Sequence, residues 1–399
     1  MKILMLVPFL PNTETSGGQT RWYNLIKYMS KSHEITLFSL IKDDSERKFI
    51  PELEKYCKKV RVFKRTKSPW HIRNLFLALV RFYPLLVVRN WSPKEKRAIQ
   101  AELAQEKYDL IHAETFYVMP HIPKTSVPSI MVEQTIEYQV YKHYVDNEVL
   151  PIFRPIFMFD VIKLKFWEAY YWKKATRAVA VSEEDKKAMQ ELVPGMRVDV
   201  IPNGVDSKYY TQKEVAKKSP PRVLYGVTNF EWLQNHEAAE ILIKEVWPKI
   251  KREIAGVKLW IVGRKMPDWL KEIANEDERI EITESIPDPR DAYLAATVMV
   301  APIRGAGGTR LKILEAMAAG LPIVSTSIGV AGLGLDSGEQ ALIINSNAGL
   351  AQEAIKLLKN PDLARKIGEA GKEFVRENFD WKAIVKLHDP IYAEITHKA

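Results

Sequence analysis

The segment from Val300 to Thr326 gathers residue types suited to holding an anion. An apolar run ends near Ala301, Gly305, Gly307 and Gly308 come next, and a helical pattern begins around Thr309. Glycines let the backbone approach a ligand closely, and the free N–H groups at a helix start favour phosphate. Arg304, Arg310 and Lys312 add formal charge there. Glu315 stands three residues after Lys312, a helical spacing, and a carboxylate suits ribose hydroxyls rather than phosphate. Together these residues fit a nucleoside diphosphate better than phosphate alone. Glycine and charge by themselves equally describe a turn before a capped helix.

Other chemistry is more dispersed. Gly17 and Gly18, after Ser16, lie between an apolar run and a helical pattern, where N–H groups suit a phosphate or a reacting oxygen; a plain strand-to-helix turn has the same composition. His112 ends a short apolar run and is expected to point towards the ligand end of its strand, either touching sugar or supporting a residue that does. Glu133 and Glu137 are four apart and are expected on one helical face. Paired carboxylates serve glycoside hydrolases, and they also occur as solvated pairs. The chain has no Asp-x-Asp motif, no Cys/His cluster at zinc spacing and one cysteine, Cys57. The reading is therefore no metal, no internal disulfide and a reducing, cytoplasmic compartment.

These residues need a scaffold. Short apolar runs alternate with amphipathic stretches throughout, the pattern of an α/β fold with parallel sheets. Strands are expected at residues 2–8, 34–40, 59–63, 110–113, 129–132 and 178–181, then at 222–226, 258–262, 280–282, 298–301, 322–325 and 341–344. Six and six suggest two Rossmann-like halves, with ligands at the carboxyl ends of the strands in a cleft between them. A length of 399 residues accommodates two such domains, and 46% hydrophobic with 27% charged residues excludes a fibre or a disordered chain. The expected division is a first domain at 1–205, a lysine- and proline-containing linker at 206–221 and a second domain at 222–380. The apolar amino terminus runs into Pro8 without a small-residue cleavage site and reads as a strand, not a signal peptide. The uncharged window at 316–335 contains four glycines and Pro322, which argues against a membrane span.

Charge is uneven. Residues 1–200 hold 32 Lys and Arg against 23 Asp and Glu, whereas residues 201–399 hold 27 of each. Residues 51–100 alone have 13 basic and 3 acidic groups. Within this basic region, residues 70–91 are largely apolar with Trp70 and Trp91 at the ends, and a second aromatic stretch covers 151–172. Residues 64–97 thus suit an anionic membrane surface, or form buried helices with snorkelling cations. Nothing resembles a base-reading motif, so nucleic acid is not an expected partner.

The 300–326 segment resembles the nucleotide-sugar signature of retaining glycosyltransferase family 4, glycosyl transferases group 1, and in particular a subgroup with a Gly-rich Thr-Arg-Leu-Lys donor loop. The resemblance extends to Gly17-Gly18, to 181–185, to 201–206 with Asn203-Gly204, to 261–264 and to Trp381. It implies the GT-B fold, two Rossmann-like domains with parallel sheets facing a central cleft, and a last helix at 381–399 crossing back to the first domain. It also implies that Glu315 holds the donor ribose and that Gly307, Gly308, Thr309 and Arg310 hold the diphosphate. The family commonly has a second glutamate where this chain has Gly307, an Arg and a Lys in the stretch that here reads 226–235, and a histidine where this chain has Gln134. Arg264, Arg304 and Arg310 are the replacement cations, and Glu137 matches an acidic position of the subgroup.

The activity implied by this resemblance is sugar transfer from a nucleotide diphosphate sugar to a cell-surface glycan or lipid-linked acceptor, with retention and without metal or cofactor. The proton passes to a donor phosphate oxygen. Sugar-nucleotide epimerases share the architecture, but their carboxylates and histidine are not evident here. The substitution at Gly307 also admits a non-catalytic sugar-nucleotide-binding or scaffold subunit.

Overall fold

The computed structural model describes residues 1–14, 16–80, 82–305 and 311–397. The chain divides into two compact units, Met1–Pro202 together with Val385–Ala399, and Asn203–Ile384.

The first unit is built on seven parallel strands: β1 (Lys2–Val7), β2 (Glu34–Ile41), β3 (Lys59–Lys64), β4 (Leu110–Glu114), β5 (Ser129–Glu133), β6 (Arg177–Ala180) and β7 (Val198–Val200), in the order β3-β2-β1-β4-β5-β6-β7. β1 and β2 are buried at every residue but the first, because helices cover both faces of a parallel sheet. Four helices of this unit shape the site and its surroundings: α1 (Gly17–Met29), α2 (Ile72–Val80), α3 (Glu137–Glu148) and α4 (Arg154–Lys174). α1 starts where Ser16 accepts the Gln19 N–H, and it buries Trp22, Leu25, Ile26 and Met29, one helical stripe.

The second unit has six parallel strands: β8 (Arg222–Asn229), β9 (Lys258–Arg264), β10 (Ile280–Thr283), β11 (Val298–Ala301), β12 (Ile323–Ser325) and β13 (Leu342–Ile343), in the order β10-β9-β8-β11-β12-β13. Its helices include α5 (Ser207–Thr211), α6 (Leu233–Ile241), α7 (Arg290–Ala295) and α8 (Leu311–Ala318). The chain then returns to the first unit with α9 (His388–His397). Each sheet reverses its winding once, between β1 and β4 and between β8 and β11, and the crevice at such a point takes ligands in open α/β sheets.

Two differences from expectation have simple causes. Among the described residues thirteen strands form, not twelve; β7 is a three-residue edge strand containing Asp199, too short for an alternating signal. Glu133 and Glu137 do not share a helical face. The apolar run before Glu133 is β5, and β-branched Thr135 and Ile136 precede the first turn of α3. No helix among the described residues is long and apolar enough to cross a membrane.

Candidate functional site

In the first unit the loops after β1, β4 and β5 meet at the reversal point. Gly17 and Gly18 open α1, and a Cβ on Gly18 would stand 3.0 Å from the Gln134 Oε1. Only a glycine lets the helix start lie this close to the β5 loop without displacing Gln134. Beneath them, Glu114 accepts from Trp22 Nε1 at 2.8 Å and Gln134 Nε2 at 2.9 Å, with His112 Nε2 at 3.0 Å. His112 Nδ1 in turn lies 2.5 Å from the Tyr392 hydroxyl of α9. A carboxylate only accepts, so Nε2 donates to Glu114, while Nδ1 and the Tyr392 hydroxyl share a hydrogen bond. His112 is fully buried, with both nitrogens engaged; it supports Glu114 from within the sheet rather than presenting a free nitrogen.

Glu114 is also fully buried, which raises its pKa, yet the His112 hydrogen bond and the charge of Arg21 outweigh burial and hold it at about 2. Arg21 lies at zero exposure and donates to the Pro202 and Ile201 carbonyls at 2.9 and 3.3 Å. His388, buried nearby, is pushed down to about 3, by burial first and by His112 and Arg21 next.

Glu137 sits at the start of α3, fixed from below by Glu168, whose two oxygens accept the Glu137 and Tyr138 N–H groups at 2.7 and 2.9 Å. Burial, only partly offset by a Tyr117 hydrogen bond, raises the Glu137 carboxyl to about 7. Glu133 is a core residue bonded to Trp172 Nε1 at 3.0 Å, and burial raises it as well. Glu133 and Glu137 therefore do not form an open hydrolase pair.

In the second unit, Glu315 on α8 accepts from the Tyr293 hydroxyl of α7 at 3.0 Å and is hydrogen-bonded by Tyr210 of α5. Burial raises its pKa to about 7, against the two phenols and nearby Lys312. Tyr293 is held by the Val227 N–H at 3.3 Å, directed at it where β8 bulges between Tyr225 and Thr228. That bulge requires Gly226, whose φ is 140° and whose Cβ would overlap the Val262 carbonyl. Lys312 donates to Asn235 Oδ1 at 2.6 Å and lies over the Tyr225 ring. Arg304, exposed after β11, donates to Asn345 O at 3.1 Å and Asn347 Oδ1 at 2.6 Å. Arg264 ends β9 with an exposed side chain. Gly307, Gly308, Thr309 and Arg310 lie outside the described residues.

Sequence reasoning missed Glu114, Trp22, Tyr392, Tyr293 and Tyr210. Glu114 had a signal, because two-residue strand spacing puts it on the face of His112. The others come from distant parts of the chain.

The two halves also match known families separately. Residues 15–209 match the model described as Glycosyltransferase Family 4, and residues 221–360 match Glycosyl transferases group 1. An uncharacterized 44.6 kDa protein in the cps region of Klebsiella pneumoniae is 24% identical over 96% of this chain and 97% of its own. The N-acetyl-alpha-D-glucosaminyl L-malate synthase of Bacillus anthracis is 25% identical, covering 74% of this chain and 77% of its own. Among solved structures, Anabaena HepE with UDP and glucose superposes with a TM-score of 0.66 at 16% identity, covering 99% of this chain and 100% of its own. Because the family models take in both parallel-sheet units and the fold likeness runs the length of the chain, this protein is a glycosyltransferase, a member of family 4 with the GT-B architecture.

Proposed function

We propose that the protein transfers a sugar from a nucleotide diphosphate sugar to a cell-surface glycan or lipid-linked acceptor, with retention at the anomeric carbon and without metal or cofactor. The observation that carries the reading is Glu315, an acceptor already aligned for hydroxyl donors by Tyr293 and Tyr210, on the helix after the glycine-rich sequence. A ribose presents that chemistry. The relative named a glucosaminyl malate synthase, and HepE with its UDP and glucose, support the donor class. The relative named phosphatidyl-myo-inositol mannosyltransferase supports a lipid-linked acceptor.

In this reading the donor side consists of Arg264, Gly307, Gly308, Thr309, Arg310, Lys312 and Glu315. The acceptor hydroxyl attacks the anomeric carbon on the face from which the diphosphate departs. The carbon–oxygen bond to phosphate breaks as the glycosidic bond forms, and the acceptor proton moves to the departing phosphate oxygen. Arg304, Arg310 and backbone N–H groups stabilise the charge that develops on the diphosphate. Gly17 and Gly18 offer N–H groups to the reacting oxygens, Glu137 orients the acceptor, and His112 acts through Glu114 as a positioning residue. The absence of an Asp-x-Asp motif supports metal independence. The reaction takes place in the cytoplasm, at the inner face of the cell membrane, reached through residues 64–97.

Thermal shift against a panel of nucleotide diphosphate sugars tests the donor, since a ligand of the folded state raises the melting temperature. Transfer should then continue in chelator. Strict dependence on added divalent metal overturns the metal-free route, and donor binding with neither transfer nor hydrolysis supports the non-catalytic alternative.

A further inference from the structure

We infer that the helices α2 and α4, joined through the residues flanking α2, form an apolar face that inserts into the interfacial layer of an anionic membrane. The inference rests on the proposed membrane location and replaces its electrostatic basis with a mainly apolar one. Among the described residues, 20 large apolar side chains stand exposed, and 16 of them lie between Trp70 and Tyr170. Exposed apolar groups are ordinary when scattered; concentration in one region is not.

Their spacing places them on helix faces. On α2, Ile72, Leu75, Phe76, Leu79 and Val80 are exposed at an amphipathic spacing, while Asn74 and Ala78 point inward. On α4, Ile156, Phe159, Ile162, Phe166 and Tyr170 form an outward stripe, with Lys173 continuing it. The inward side of α4 carries polar groups with defined partners. Asp160 and Lys163 pair at 2.8 Å, Asp160 accepts the Leu85 N–H, and Lys163 and Trp167 donate to the Tyr83 and Phe82 carbonyls at 3.1 and 2.8 Å. These bonds fasten the chain after α2 onto α4, so the outward apolar stripe is the settled orientation of this helix. Ring contacts make the two stripes continuous: Trp70 with Phe157 at 5.4 Å, and Phe82 with Phe159 and Phe166 at 6.0 and 6.3 Å.

Charge identifies the occupant. Residues 55–94 contain eleven Lys and Arg and no Asp or Glu, although Lys55, Lys58, Lys59 and Arg61 pair with Glu52, Glu34 and Glu102. Exposed Arg73, Lys165 and Lys173 lie on the two helices themselves. A basic rim around an aromatic and aliphatic face complements anionic headgroups over acyl chains. A second copy docking through the same face would oppose like charges. The lysines expected to provide long-range attraction are partly spent, because Lys64 and Lys67 pair with Asp44 and Asp43.

The test is co-sedimentation of the full chain with phosphatidylcholine vesicles, with and without phosphatidylglycerol, at low and high salt. Wild type should bind the anionic vesicles and keep part of that binding at high salt. Phe76→Gln, Leu79→Gln, Ile156→Gln and Phe159→Gln together should lower partitioning about tenfold or more, given the apolar area removed. Arg73→Gln, Lys165→Gln and Lys173→Gln together should remove a few-fold, confined to the salt-sensitive part. Quenching of wild-type tryptophan by brominated lipid, diminished in Trp70→Phe, gives a readout independent of the fourfold variant's folding. The inference is overturned if wild type sediments with no vesicle, if the fourfold variant binds like wild type, or if that variant merely converts a dimer to monomer. Sugar-nucleotide thermal shift on the same samples separates the two readings: a donor response without vesicle binding removes the docking face alone, and vesicle binding without a donor response removes the proposed donor alone.

Discussion

Each unit places a buried or half-buried glutamate near the reversal point of its sheet, and the two are tuned in opposite directions. Glu114 faces His112 and Arg21 and is held at about 2, whereas Glu315 faces two phenols and one lysine and is raised to about 7. Burial pushes both up. A fully buried guanidinium and an imidazole reverse that push in the first unit, and phenol hydroxyls do not reverse it in the second. The first unit thus keeps a permanent anion as an internal anchor, while the second keeps a carboxyl whose charge changes near neutrality.

The comparison breaks most severely if its cation is removed. Arg21→Met leaves Glu114 buried without its guanidinium and frees the Pro202 and Ile201 carbonyls, and should destabilise the first unit by about 3–5 kcal/mol. Thermal melting followed by hydrogen exchange in the first unit measures this, and a loss within error of zero refutes the anchor.

Opposite tuning also predicts opposite pH slopes. The Glu114 pKa is depressed from 4.5 to about 2, so its contribution is present above about 4.5 and is lost as pH falls through 2. The Glu315 pKa is raised from 4.5 to about 7, so its contribution is complete below about 4.5 and is lost as pH rises through 7. Each window is worth on the order of 3 kcal/mol. Unit-resolved stability across pH should show the second window vanish in Glu315→Gln and the first in Glu114→Gln; slopes unaltered by these substitutions would remove the distinction.

Glu315→Ala sharpens the contrast at the level of ligand. It should weaken donor binding by roughly 1.5–3 kcal/mol, the value of a charge-assisted hydrogen bond, with the fold retained. Calorimetry on the folded variant is decisive, because unchanged affinity withdraws the ribose role. The smallest effect is expected at Gly18→Ala, where the new Cβ presses only on the end of the Gln134 side chain and meets the Trp22 ring at ordinary contact distance. A stability cost of about 1 kcal/mol or less should accompany a disproportionate fall in transfer, because the shift disturbs a helix start and not the core. A loss of stability equal to that of Arg21→Met would instead make Gly18 a packing residue.

The legible part of the molecule was local. Apolar runs reveal twelve of the thirteen strands among the described residues, and β7 escapes because three residues around Asp199 are too few for a periodic signal. The helix start at Gly17 and Gly18 and the helical position of Glu315 are readable because a glycine and a helical offset are written within a few neighbouring residues. Tyr392 was not, since its contact with His112 spans 280 residues and no periodicity extends that far. Residues 72–80 show the complementary limit. Their spacing predicts a helix and an apolar side, but spacing does not say whether that side meets protein or lipid.

The placement of α9 also bears on the order in which the molecule is made. Tyr392 reaches His112 only after the whole of Asn203–Ile384 has left the ribosome, so the first unit to be synthesised is the last to be completed. At roughly 5–20 residues per second the nascent first unit waits on the order of ten seconds or more with His112 and Glu114 lacking their carboxy-terminal cover. During that interval the second unit can fold on its own short-range schedule, and the final helix acts as a latch that closes the older half last.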